Sequence, residues 1–489
     1  MSDIKQKIYD VIATTFNEPV SKINDNLGPG DLVQWDSIGQ IQLISALENA
    51  FETKLSIDQI ISINSIRDIT AIFVIDSIST YSETYSSSDS QYIFDKPILT
   101  TNEPASIQST TLPPISESKW ESFRVPPVLH IGPGAIDVLQ KNSGSRICII
   151  TGERTKTLAN DVQDRLPNNT KIFIILRPSG EPQENAIKEG AKTLAENQVD
   201  TIIAVGGGST IDFAKLSWAL YEHPNLTFDE ISTHFQIPAL RNKASFIAIP
   251  TLFGSGSEAS SAAAFTKNKD TKKSISISHE FIPDEVILDP NLSISSPKIL
   301  VVSGIFDGLT HAIEGFVSPV KNSIAKSYAA PAIQLLFSAL DGIQSYNNIT
   351  IDILNQVAKG TYLASFVQNH CSVGLAHSLA HQLTETLPHS MGTALFLIPV
   401  IEANSTNCTS YQELATQCGY SSIDSFITKL KAYYRAFSIA PSADQLSAIS
   451  RQQNDILQTV KQDITFKTNP VFHSNDAIRN IITAAMNQK

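Results

Sequence analysis

Apolar positions in the first 75 residues recur at helical spacing. Ile4, Ile8, Val11, Ile12 and Phe16 share one face of a predicted helix, and Ile38, Ile41, Leu43, Ile44, Leu47 and Phe51 share one face of a second. A loop rich in Gly, Pro and Asp (NDNLGPGDLVQWD) separates them, and a shorter helix is predicted around residues 66–75. From 77 to 118 the periodicity vanishes. SETYSSSDSQ and TTNEPASIQSTTLPPISES are too rich in Ser, Thr and Pro to bury much apolar surface, so this stretch reads as a flexible linker.

Beyond it, short apolar runs alternate with helical patterns. RICIIT (146–151), KIFIIL (171–176), TIIAV (201–205) and SFIAIP (245–250) read as buried strands. Helices are expected over 156–166, over 184–196 and directly after the third strand. Such alternation predicts a parallel, doubly wound sheet. From about Asp289 strand patterns stop and long helical patterns take over. The chain is therefore expected to be multidomain. An all-α four-helix module (1–76) and the linker (77–118) precede an α/β dinucleotide-binding domain (119–288) and an all-α metal-binding domain (289–489).

Composition narrows the function. With 42% hydrophobic and 17% charged residues the chain has the balance of a soluble globular protein, and its net charge of −12 argues against a nucleic-acid partner. No apolar run reaches the ~18 residues of a membrane span. MSDIKQKIYDVIATTF is polar and amphipathic, unlike a secretory signal. Cys148, Cys371, Cys408 and Cys418 lack CxxC spacing and read as reduced thiols, so a cytoplasmic location is expected.

Two constellations carry chemistry. Gly206-Gly207-Gly208-Ser209 falls between the strand TIIAV and a helix carrying Asp212 and Lys215. A Gly-rich turn of this kind lets backbone N–H groups approach a diphosphate, and the helix N-terminus adds partial positive charge. PTLFGSGSE (250–258), another small-residue loop, also follows a predicted strand, and two such loops point to one crevice. The second constellation holds potential metal ligands. Asp307 and His311 are four apart on a predicted helix, hence on one face, and His377, His381 and His389 lie within thirteen residues. A carboxylate with three imidazoles suits Fe²⁺ or Zn²⁺, with a further position open to a substrate oxygen.

These residues resemble the iron-containing alcohol dehydrogenases. The resemblance rests on GGGSTIDFAK (206–215), PTLFGSGSE (250–258), GIFDGLTHAIEGFVS (304–318) and HSLAHQLTETLPHSMG (377–392), and runs from about Pro126 to the C-terminus. It implies metal ligands at Asp307, His311, His377 and His389, and a non-ligand proton-relay histidine at His381. It also implies NAD(P)H contacts at Gly206, Gly207, Gly208, Ser209, Thr251 and Ser257, and a homodimer. Two departures stand out. The segment before Pro388-His389 is two residues shorter than is usual in the family. Gly152 occupies the place where NAD-preferring members often carry an acidic residue that meets the adenosine ribose. A site without that carboxylate no longer repels a 2′-phosphate, and Arg154 or Lys156 stand near enough in sequence to pair with one, so tolerance of, or preference for, NADP(H) is expected.

Residues 1–75 resemble an acyl carrier protein. Asp36-Ser37 precedes the helical pattern SIGQIQLISALENAF, and the module holds ten Asp/Glu against five Lys/Arg. Serine at a helix start is also an ordinary N-cap. The resemblance implies a 4′-phosphopantetheine arm on Ser37, placed there by a phosphopantetheinyl transferase, and partner enzymes that load acyl groups. A linker of about forty residues spans roughly 35 Å root-mean-square. The expected function is metal-dependent hydride transfer between NAD(P)H and an aldehyde or ketone borne on that arm. The alternatives are reduction of a free small aldehyde, with the carrier serving another enzyme, and a carrier scaffold with an inactive dehydrogenase domain.

Overall fold

The computed structural model describes residues 2–28, 31–32, 35, 37–51, 53, 55, 63, 65–81, 121–267, 273–346 and 348–488. The chain divides into two compact units, Met1–Trp120 with Val471–His473, and Glu121–Pro470 with Ser474–Lys489.

In the first unit the described helices are Ser2–Phe16, Ser37–Ala50 and Ile66–Tyr81. The last runs past the end expected near residue 75. Ile8, Ile12 and Phe16 meet Leu43, Leu47, Ile69 and Phe73 in one core, as their helical spacing requires. Trp35 is fully buried and stacks on Phe16 at 5.3 Å. Asp36, residues 82–118 of the expected linker, and the stretch 56–62, where the remaining helix of a four-helix module would fall, lie outside the described residues.

The second unit opens on a six-stranded sheet. Its strands are β1 (Val128–Ile131), β2 (Arg146–Gly152), β3 (Lys171–Arg177), β4 (Thr201–Gly206), β5 (Ser245–Pro250) and β8 (Glu285–Leu288), in the order β1-β8-β5-β4-β2-β3, and every pairing is parallel. Strands β6 (Ala262–Thr266) and β7 (Lys273–Ile277) form a separate antiparallel hairpin. All of β4 is buried, which explains its unbroken apolar run.

Helices occupy the rest of this unit. Lys298–Val317 packs against Ala329–Tyr346, Ile351–Cys371 and His389–Ser405. Among the described residues it alone is long and apolar enough to cross a bilayer, and 89% of its apolar window is buried inside the protein. The four cysteines are buried and unpaired.

Candidate active site

The sheet sets the site. Strand β2 lies between β3 and β4, and the chain leaves β2 and β4 toward opposite edges, so a crevice opens at their carboxyl ends. Register places Gly152 beside Arg177 and Gly206 beside Pro250, which brings the turns after β2, β4 and β5 into line. The helix Gly208–Glu222 starts inside the middle turn, with Gly207 at its N-cap, so its free N–H groups and dipole meet the crevice.

Two side chains of that helix brace the third turn. Buried Lys215 donates from Nζ to the carbonyls of Ser257 (2.6 Å), Ser260 (2.8 Å) and Ala262 (3.0 Å), and Asp212 Oδ2 accepts from the Ala264 amide at 3.1 Å. Burial pushes the Lys215 ammonium down to about 8, against the pull of Asp212 and Glu258. On its other side the third turn rests on the helix Lys298–Val317. A Cβ at Gly304 would come within 2.2 Å of the Phe253 carbonyl oxygen, so glycine is needed for this approach. Asp307 follows Gly304 by one helical turn, which couples the crevice to the potential metal ligands.

Asp307 is the hub of those ligands. Its Oδ1 lies 3.9 Å from His377 Nε2, 3.8 Å from His389 Nε2 and 4.0 Å from His311 Nε2. Asp307, His377 and His389 each bring one donor atom within 4.8 Å of the others, and His311 stacks on His377 with ring centroids 4.8 Å apart. Tetrahedral ligands on a zinc-sized ion stand roughly 3.4 Å apart, so this cage is close to, and slightly wider than, that needed. His377 Nε2, His311 Nδ1 and His389 Nδ1 are buried without hydrogen-bond partners. Burial drives all three imidazoles well below their ordinary pKa, which keeps them in the neutral, ligating form, and raises Asp307 to about 7. His389 keeps 27% of its side-chain surface open, facing a cavity rather than bulk water. A buried carboxylate ringed by three neutral imidazoles, with His377 Nε2 facing it and lacking a partner, fits a divalent cation.

The short segment before Pro388 still brings His389 to Asp307 and His377. Leu383 and Leu387 sink into the helical core, and the Thr386 and Leu387 amides both donate to the Leu383 carbonyl at 2.8 Å. That tight turn delivers His389 as the first residue of its helix.

Three supporting groups escaped the sequence. Glu314 Oε2 accepts from His377 Nδ1 at 2.6 Å and from the Gly374 amide at 2.8 Å, while Oε1 accepts from the Ala376 amide at 2.6 Å. This fixes the ring so that Nε2 points its lone pair at the cage. Glu314 follows His311 by three positions on the same helix, a signal the spacing did offer. Thr393 Oγ1 donates to Asp307 Oδ1 at 2.9 Å. Asp463 Oδ2 pairs with His381 Nδ1 at 2.8 Å and is itself held by Thr465. Burial works against the Asp463 carboxylate, but His381 and Thr465 outweigh it and hold its pKa below the ordinary value. With Nδ1 so engaged, His381 has only Nε2 left for a ligand. Glu314→Gln is expected to weaken zinc binding roughly 10- to 100-fold, measured by competition with a chromophoric chelator. Unchanged affinity would show that the His377 ring needs no anchor.

A cavity of about 280 Å³ joins the two constellations, lined by Gly208, Ser209 and Ser257 on one side and Asp307, His381 and His389 on the other. Thr251, Gly206, Gly207 and Gly152 belong to the surrounding turns without lining it, and His311 and His377 stand behind Asp307 and His389. Of the basic groups near Gly152, Arg154 and Lys156 are exposed. Arg177, which no local signal marked, donates to Ser209 Oγ (3.1 Å), Thr210 Oγ1 (3.1 Å) and the Gly180 carbonyl (2.7 Å). Ser37, in the other unit, is the first residue of its helix.

Comparison with known proteins agrees with this picture. Residues 126–290 match the family model described as iron-containing alcohol dehydrogenase, and residues 301–486 match that of the family's C-terminal domain. Residues 6–73 match a phosphopantetheine attachment site. The chain is 29% identical over 330 residues to the NADPH-dependent butanol dehydrogenase of Clostridium saccharobutylicum, covering 65% of this chain and 84% of that one. It is 26% identical to the 1-propanol dehydrogenase of Citrobacter freundii, covering 74% and 99%. Among solved structures, an iron-containing alcohol dehydrogenase from Thermococcus thioreducens shares its fold, with a TM-score of 0.69 at 24% identity, covering 75% of this chain and 100% of that one.

Proposed function

Since the chain belongs to the iron-containing alcohol dehydrogenase family and carries a phosphopantetheine attachment module ahead of that enzyme, we propose that it reduces an aldehyde or keto group borne on its own phosphopantetheine arm, using NADPH. The observation that carries this reading is the covalent union of an attachment module (6–73) with both halves of the dehydrogenase (126–290 and 301–486). An arm joined to the enzyme raises the local concentration of its cargo to about millimolar without any new contact.

Asp307, His311, His377 and His389 would hold the metal. A divalent metal bound there supplies Lewis-acid polarisation of a carbonyl, and a reduced nicotinamide supplies the hydride. The chain's own residues do the rest. Gly208 and Ser209 offer N–H groups to the diphosphate. The cavity between the turns and the histidines gives the reacting carbon a place between the diphosphate-binding turns and Asp307, His381 and His389. His381, oriented by Asp463, delivers a proton from Nε2 to the oxygen that becomes the alcohol. Hydride on carbon and this proton on oxygen complete the reduction. Steady-state rates on arm-loaded and free aldehydes test the proposal; equal kcat/KM for the two would defeat it. The names of the two bacterial relatives favour a short aliphatic chain next to the carbonyl, and a free aldehyde of that kind is the second reading.

The choice of NADPH is supported by Gly152. A Cβ there meets nothing nearer than Thr155 Oγ1 at 3.8 Å, and its φ of −98° suits any residue. Aspartate therefore fits, with its Cβ 4.0 Å from Arg177 Nε, and puts negative charge where a 2′-phosphate would pair. Gly152→Asp is expected to shift the kcat/KM ratio at least about tenfold from NADPH toward NADH. A ratio that does not move removes Gly152 from cofactor choice.

A further inference from the structure

Next to the reaction cavity lies a second, larger one of about 530 Å³. Lys273, Ile275 and His381 line both, so the two spaces adjoin at the proposed proton donor. The remaining wall comes from the turn after His381, from the helix Ala443–Thr459 and from Asp463 beyond it.

The lining selects its ligand. Thr384 on the turn, and Gln452 and Gln458 on the helix, offer neutral donors and acceptors, while Gln382 Oε1 is already taken by the Thr459 hydroxyl at 2.7 Å. Ile456 adds an apolar patch, and Glu385 and Asp455 are exposed at the rim. Three carboxylates, Glu385, Asp455 and Asp463, face one ammonium, Lys273, which is itself paired with Glu181 at 3.1 Å, and this balance disfavours the diphosphate of a dinucleotide. A free short aldehyde has no amides for the glutamines to bond. A slender, uncharged chain with spaced amides and a branched aliphatic segment suits the side-chain amides of Gln452 and Gln458, and the volume falls in the range of ordinary ligand pockets.

We infer that this cavity is the berth for the pantetheine portion of the arm. Its two amides face the glutamine and threonine side chains, and its dimethyl branch packs near Ile456. The thioester end runs toward His381, and Glu385 and Asp455 keep the phosphate end outward. The inference rests on the arm-delivered reading and adds the route by which the cargo enters.

The test uses full-length protein with unmodified Ser37, butanal, NADPH and S-methylated pantetheine, whose thioether removes the thiolate that would seek a metal. S-methylpantetheine should inhibit competitively against butanal. Gln458→Trp, at an exposed helix position, should raise its inhibition constant about tenfold, and Gln452→Leu should move it the same way without filling space. Unchanged melting temperatures establish that both variants fold. No inhibition of the wild type, or equal inhibition of all three proteins, overturns the berth. Holoprotein loaded with a tethered aldehyde then separates the two claims. If the wild type does not favour tethered over free substrate, arm delivery itself fails. If it does, and Gln458→Trp leaves that preference untouched, only the berth fails.

Discussion

Asp307→Ala is expected to emerge from purification without metal and to lose at least about a thousandfold in kcat/KM, because Lewis-acid polarisation supplies several kcal/mol to carbonyl reduction. Asp307 is the only carboxylate among the four proposed ligands, and its Oδ1 is the atom on which His311, His377 and His389 converge. Without it, a divalent charge would sit in a buried pocket faced by neutral imidazoles alone, with no anion to offset its desolvation. His381→Ala provides the contrast. His381 is joined to Asp463 outside the cage, so its loss should spare metal content and cost about a hundredfold in kcat. Metal analysis of both proteins beside their kinetics checks the division of labour. A full complement of metal in the Asp307 variant, or none in the His381 variant, would reverse the roles given to these residues.

Much of this site is legible along the chain, for reasons of period and spacing. Asp307 and His311 sit at helical spacing on one helix, and the structure keeps them on one face. The strands RICIIT, KIFIIL, TIIAV and SFIAIP stand out because central parallel strands are buried on both faces and read as apolar runs. Strands β1 and β8 do not stand out, since each has only four residues. The hairpin β6–β7 is hidden by its Ala and Ser content, which lacks strand propensity. Asp463 carries no local signal, because 82 positions separate it from His381 and only the packing of the last helices brings them together. Arg177 is legible only through register: its value lies in being opposite Gly152 on the neighbouring strand. Asp307 and His311 are thus visible because one helix carries both, and Asp463 and Arg177 are hidden because two separate elements must meet to give them their partners.

Ser37→Ala is expected to lose the mass shift of arm attachment completely, and with it all turnover of tethered substrate. The helix Ser37–Ala50 begins at this residue, downstream of a core in which Trp35 is wedged against Phe16. A polar residue at a helix start can also contribute about 1 kcal/mol to stability. Ser37→Asn keeps a small polar side chain there but offers no hydroxyl to a transferase, so it separates stability from chemistry. Mixing then asks whose arm is used. Asp307→Ala protein carrying a loaded arm has no working site, and Ser37→Ala protein has a site and no arm. At about micromolar protein, an arm at millimolar effective concentration outcompetes a free partner's arm roughly a thousandfold. Delivery within one chain therefore predicts that the mixture stays near background and gains rate only in proportion to concentration. Recovery independent of concentration would instead mean that arms cross between subunits of a stable dimer. Full activity of Ser37→Ala on substrate supplied as a separate loaded carrier would show that the attached module is dispensable, and arm delivery in cis would be wrong.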